Sequence, residues 1–190
     1  MAIIFGSPCD VKDNLLSLFY KKKMIVHQLL MGQDVAKDRS NSVHVMAASM
    51  ANFTYIVEYA PNKAFLVDPA WDVDGILEFA KEKSLDINCA VFTHRHLDHT
   101  GGKVNLQRQQ VVVPGLAELV EKGIPVKVGK DDVEATLAQT RVERGKIDSL
   151  QNGDEIAPGA KVIHTPGHTP GSLCIMLGAG DALLTGVNFI

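Results

Sequence analysis

The chain has 190 residues, 46 % of them hydrophobic and 22 % charged, and a formal net charge of -3. That balance fits one ordinary globular domain, long enough to bury a substantial core. It gives a polyanion no electrostatic footprint, so nucleic acid is excluded as the favoured partner, and no run approaches the ~18 apolar residues of a membrane helix.

Residues 1–23 read as an N-terminal extension, with Val11, Leu15, Leu18 and Phe19 at helical spacing ahead of Lys21 to Lys23. The domain proper is assigned to 24–190. Met24 to Met31 is an apolar run of strand length, Gly32 to Asn41 is loop, and Ser42 to Ala47 is a further strand. Phe53, Tyr55, Val57 and Tyr59 alternate as in a strand, Pro61-Asn62 turns the chain, and Ala64 to Val67 returns. Asp72 is placed to cap a helix carrying Val73, Ile76, Leu77 and Ala80, and Ile87 to Phe92 is the next strand. Beyond it a helix is expected from His99 to about Gln109, then a strand at Val111 to Val113 and a helix over Leu116 to Val120 ended by Gly123. Asp131 to about Ala138 suits another helix, whereas Thr140 to Asp148 carries no pattern. Asn152-Gly153 marks a turn before three closely spaced strands at Lys161 to His164, Ser172 to Leu177 and Ala182 to Thr185. Hairpins and strands interleaved with helices make a mixed α/β layout. Cys9, Cys89 and Cys174 form no C-x-x-C pair, and no N-terminal apolar stretch is long enough for a signal-peptide core. Both features point to a cytoplasmic protein.

Chemistry concentrates in two loops that hold five of the seven histidines. The first is T-H-R-H-L-D-H-T-G-G, Thr93 to Gly102, directly after a strand. Side chains two apart in extended backbone face the same way, so His94, His96 and Asp98 can converge, while His99 needs a turn. The second is V-I-H-T-P-G-H-T-P-G-S, Val162 to Ser172, in which two Thr-Pro-Gly units hold His168 at a sharp double turn. His94, His96 and His168 then make a three-imidazole metal set with an open position for water, the catalytic rather than the structural pattern for zinc. His164, His27 and His44 read as structural, and mid-strand Cys174 as core.

These two loops, with V-D-P at Val67 to Pro69 and L-L-T-G at Leu183 to Gly186, resemble the metallo-β-lactamase superfamily, leaning towards hydroxyacylglutathione-hydrolase-like metallohydrolases. The resemblance implies an αβ/βα sandwich of two mixed sheets flanked by helices, with a metal site at one sheet edge. It implies His94, His96 and His168 as ligands of a first metal, and Asp98 and His99 as ligands of a second. Asp98 would also orient the attacking water, and Asp68 would brace the metal loops through hydrogen bonds. The metal is expected to be zinc, with iron or manganese as alternatives. The implied activity is hydrolysis of a small-molecule ester or thioester by metal-bound hydroxide, as in glyoxalase II.

One position departs from the pattern. Where the family continues L-L-T-G with an aspartate that bridges two metals, this chain has Val187, and the sequence given runs only to Ile190. At most one ion is therefore expected, in a domain lacking the family's last strands and helix. A sheet edge left unpaired would be open to self-association. The competing readings are a mononuclear iron enzyme resembling the persulfide dioxygenases, and a non-catalytic product that binds at most one metal.

Overall fold

A computed structural model of the protein describes residues 3–5, 23–106 and 109–187. The chain runs β1 (Ile3–Phe5), β2 (Ile25–Leu30), α1 (Ser42–Met50), β3 (Phe53–Ala60), β4 (Lys63–Val67), α2 (Val73–Glu82), β5 (Asp86–Phe92) and a single helical turn, α3 (Leu97–Thr100). It continues through β6 (Gly102–Leu106), β7 (Gln109–Val113), α4 (Leu116–Glu121), β8 (Val126–Gly129), α5 (Val133–Thr140) and β9 (Ile147–Leu150). The last strands are β10 (Glu155–Ala157), β11 (Ala160–His164), β12 (Leu173–Leu177) and β13 (Ala182–Leu184).

Two sheets result. Six strands lie in the order β2-β3-β4-β5-β8-β9, and five in the order β1-β13-β12-β11-β10, with β6 and β7 a separate hairpin. The six-stranded sheet begins as an antiparallel meander and becomes parallel from β4 onward. Parallel neighbours cannot be joined by a tight turn, so each such step carries a crossover helix. Alternation along β3, β4 and β5 explains the layers. Tyr55, Val57, Phe65, Val67, Cys89 and Val91 face the second sheet, where they meet Val162, Leu173, Ile175, Leu177 and Leu184. Their neighbours Ile56, Leu66, Ala90 and Phe92 face the other way, under Ala47 of α1, Ile76 of α2, Leu119 of α4 and Val133 of α5. With both faces covered, these strands need near-continuous apolar sequence, and they have it.

Asp72 caps α2 as expected, its side chain accepting from the Gly75 amide. Two expectations are corrected. Ser42 to Ala47 is the start of α1, not a strand: Asn41 caps it by accepting from the Val43 amide, and Val43, Met46 and Ala47 form the packed stripe. The helix expected from His99 stops after one turn at Thr100, because Gly101 and Gly102 carry φ of 70° and 130° and lead into β6. β13 pairs with β1, Ile3 lying opposite Leu184, and β1 is the edge strand of that sheet. The helical pattern expected over Val11 to Phe19 lies outside the described residues. No helix among the described residues is long and apolar enough to cross a membrane.

Candidate metal centre

The site forms where the two sheets come together at one end. β5 delivers Thr93 and His94, both buried, and the Thr93 carbonyl accepts from the Leu173 amide at 2.8 Å, joining the root of the first loop to β12 of the other sheet. His96 has extended backbone at the N-cap position of α3, so the chain turns helical one residue later. The second loop, between β11 and β12, is closed by the Thr165 amide to the Ser172 carbonyl (2.9 Å) and the Thr169 amide to Ser172 Oγ (3.0 Å). His168 stands at its tip. His94, His96 and His168 meet there, with ligand nitrogens all within 4.8 Å of one another and ring centroids 4.5–4.8 Å apart.

Asp98 does not continue the strand parity of His94 and His96. The helical turn places it with His99 in a second cluster beside the first: His99 Nε2 lies 3.3 Å from Asp98 Oδ2, and the His94 and His99 rings are 4.1 Å apart. The Asn52 side-chain amide donates to Asp98 at 2.9 Å. Behind both clusters lies Asp68, buried and held at φ 51°, a left-handed conformation that aspartate tolerates better than most residues. Asp68 Oδ1 accepts the Thr93 amide at 2.6 Å, and Oδ2 accepts Thr93 Oγ1 at 2.6 Å and pairs with His99 Nδ1 at 2.8 Å.

That carboxylate sets protons at a distance. Thr93 Oγ1 gives its proton to Asp68, so at 3.1 Å from His94 Nδ1 it can only accept, which places the His94 proton on Nδ1. His94 Nε2 is left with a lone pair, and it is buried with no hydrogen-bond partner. Burial, reinforced by the neighbouring imidazoles, pushes the His94 pKa down to about 3, so the ring stays neutral. His96 is lowered too, by burial and then by His168. Burial alone would lower His99 as well, but Asp68 and Asp98 overcome it and raise His99 to about 9. Asp98, despite its own burial, is held below the usual carboxylate range by His99 and Asn52.

A neutral, buried imidazole nitrogen with no partner, facing two further imidazoles, fits a borderline metal such as zinc. His164 lies outside this set, with Nε2 2.8 Å from the Pro170 carbonyl oxygen, and braces the second loop. Three contributors were not singled out from the sequence: Asn52, Thr93 and Asp132. Thr93 sits inside the first motif and could have been found there; Asn52 and Asp132 arrive from remote loops with no local signal. Val187, in the position the resemblance reserves for a bridging carboxylate, is half-buried.

Residues 49–186 match the family model of the metallo-beta-lactamase superfamily. A probable polyketide biosynthesis zinc-dependent hydrolase, BaeB, of Bacillus velezensis is 29 % identical over 140 residues, covering 72 % of this chain and 54 % of that protein. An atrochrysone carboxyl ACP thioesterase of Aspergillus chevalieri is 30 % identical over 168 residues, covering 83 % and 48 %. A hydroxyacylglutathione hydrolase of Citrobacter koseri is 28 % identical over 151 residues, covering 76 % and 52 %. The chain thus spans about half the length of these curated relatives. Among solved structures, a metallo-beta-lactamase from Staphylococcus aureus shares the fold with a TM-score of 0.55 at 22 % identity, over 84 % of this chain and 39 % of that one. With its family match over residues 49–186 and its histidines gathered at the sheet end, this chain belongs to the metallo-beta-lactamase superfamily.

Proposed function

We propose that the chain is a metal-dependent hydrolase of small-molecule esters or thioesters, with one ion held by His94, His96 and His168 and zinc the first choice. The observation that carries this reading is His94 Nε2, buried and with no hydrogen-bond partner, on a ring gathered with two other imidazoles. Zinc bound there would supply Lewis acidity and an activated water. The chain's own residues do the rest. Asp98 stays ionised beside the triad, an acceptor able to orient a nucleophile through a hydrogen bond. Asn52 fixes that carboxylate from one side and His99 from the other. Asp68, through Thr93, keeps the His94 lone pair on Nε2. Thioester and zinc-dependent hydrolysis in the named relatives support the bond type and the metal. Cys89, free and buried, supports a reducing, cytoplasmic setting.

The test is metal analysis together with thioester hydrolysis on the full chain. Wild type should hold one zinc per chain and His168→Ala none, with hydrolysis following the metal. Two tightly held ions, or equal metal content in the variant, would refute the assignment.

A further inference from the structure

Asp132 lies far from the histidine motifs in sequence, at the end of the short 3-10 turn Lys130–Asp132 between β8 and α5. It is fully buried, at 0 % exposure. Its carboxylate touches both metal-ligand loops. Oδ2 accepts the Arg95 amide at 3.1 Å and Thr169 Oγ1 at 2.6 Å, and Oδ1 accepts the Gly171 amide at 3.0 Å. Arg95 lies between His94 and His96, and Thr169 directly follows His168. The Arg95 guanidinium is a looser neighbour, Nε 3.7 Å from Oδ1 and part exposed.

Packing reports the same junction independently. A Cβ on Gly171 would stand 2.5 Å from the Asp132 nitrogen and 2.7 Å from its side chain. A Cβ on Gly129 would stand 2.0 Å from the Gly171 carbonyl oxygen. The segment from Gly129 to Asp132 and the His168 loop approach so closely that neither glycine position admits a larger residue. The Thr93 to Leu173 bond ties the roots of the two histidine loops. Asp132 ties them next to their ligands.

We propose that Asp132 is the positioning residue that fixes the spacing between the His94/His96 loop and the His168 loop, clamping both so that three imidazoles from two sheets present to one ion. This rests on the metal-centre reading above. Asp132 touches no ligand nitrogen; it acts through the backbone on either side of each. A carboxylate suits this place because three donors converge on two oxygens, which one carboxamide cannot all satisfy.

The experiment compares the full chain as wild type, Asp132→Asn and Asp132→Ala. Amide hydrogen exchange is followed in the metal-free protein, and Zn2+ and Co2+ affinity by chelator competition, with the Co2+ visible spectrum recorded. In Asp132→Asn, Oδ1 still serves Gly171 but the Arg95 amide loses its acceptor, so Arg95 should exchange faster while Gly171 stays protected. In Asp132→Ala both amides should open. Metal affinity should fall about 10–100-fold in the alanine variant, as for other residues that orient ligands, with an intermediate loss in Asp132→Asn and an altered Co2+ spectrum in each. Should Asp132→Ala not fold, Asp132→Asn carries the test. Lowered thermal stability with unchanged affinity and Co2+ spectrum overturns the inference and assigns Asp132 to the fold alone. Failure of the wild type to take up either ion overturns the metal reading, and the inference with it.

Discussion

Asp68 offers the sharpest separation of stability from metal binding. Asp68→Ala removes the acceptor for three buried donors, the Thr93 amide, Thr93 Oγ1 and His99 Nδ1. Each orphaned donor costs about 1–3 kcal/mol, and breaking a buried ion pair by deleting one partner costs about 3–5 kcal/mol. Removing the carboxylate also removes its own burial cost, so the lower ends apply: about 1 kcal/mol for each Thr93 donor and about 3 kcal/mol for the His99 pair, about 5 kcal/mol together, with about 1 kcal/mol more for alanine at φ 51°. Asp68→Asn should behave differently. Its Oδ1 still accepts the Thr93 amide, and its Nδ2 can donate to both Thr93 Oγ1 and His99 Nδ1. Thr93 Oγ1 would then donate to His94 Nδ1, and the His94 proton would move to Nε2, the nitrogen the metal needs. His99 would likewise carry its proton on Nε2, towards Asp98. The expected result is a loss of only about 1 kcal/mol in the metal-free protein but a fall of at least about 10-fold in zinc affinity. Urea denaturation in chelator measures the first and competition against a chromophoric chelator the second. A loss below about 1 kcal/mol for Asp68→Ala, or wild-type zinc affinity in Asp68→Asn, would refute the hydrogen-bond chain.

Two further outcomes follow from the packing. Ile175→Ala deletes a fully buried side chain in the layer between the sheets and should cost about 2–5 kcal/mol in urea denaturation; a loss under about 1 kcal/mol would mean that layer is looser than described. Cys89 is 5 % exposed and pushed up to about 11 chiefly by burial, so at pH 8 it should resist iodoacetamide in the native protein and react once denatured. Mass mapping reads this, and rapid native labelling of Cys89 would contradict its placement.

The parts of the fold legible in the sequence are those where one pattern had no rival. β3, β4 and β5 alternate or run apolar, and their partners in space only confirm what the chain already prefers. Ser42 to Ala47 misleads because Val43, Val45 and Ala47 also alternate; the Asn41 cap and the packing of Met46 decide for a helix, and only the second is tertiary. β8 and β9 escape notice because they have four residues each and owe their conformation to parallel neighbours. At the site, histidine spacing gives the triad, since ligand chemistry concentrates unusual residues in few positions. The supporting contacts are invisible for the opposite reason. Asp132 looks like one more acidic residue at a helix start, and Asn52 like a polar residue before a strand. Their roles exist only once loops 37 and 46 residues away in sequence arrive beside them.

The Thr93 to Leu173 junction joins one layer that carries His94 and His96 to another that carries His168. An ion shared by the three would therefore work as a gauge of sheet registry. Sliding one layer against the other by a fraction of an ångström would weaken its grip before any spectroscopic change in secondary structure. By mass action the same ion would return that sensitivity as stability, about 2.7 kcal/mol when its free concentration is 100 times the dissociation constant. Substitutions deep between the sheets, remote from every ligand, should thus register first in how tightly the metal is held.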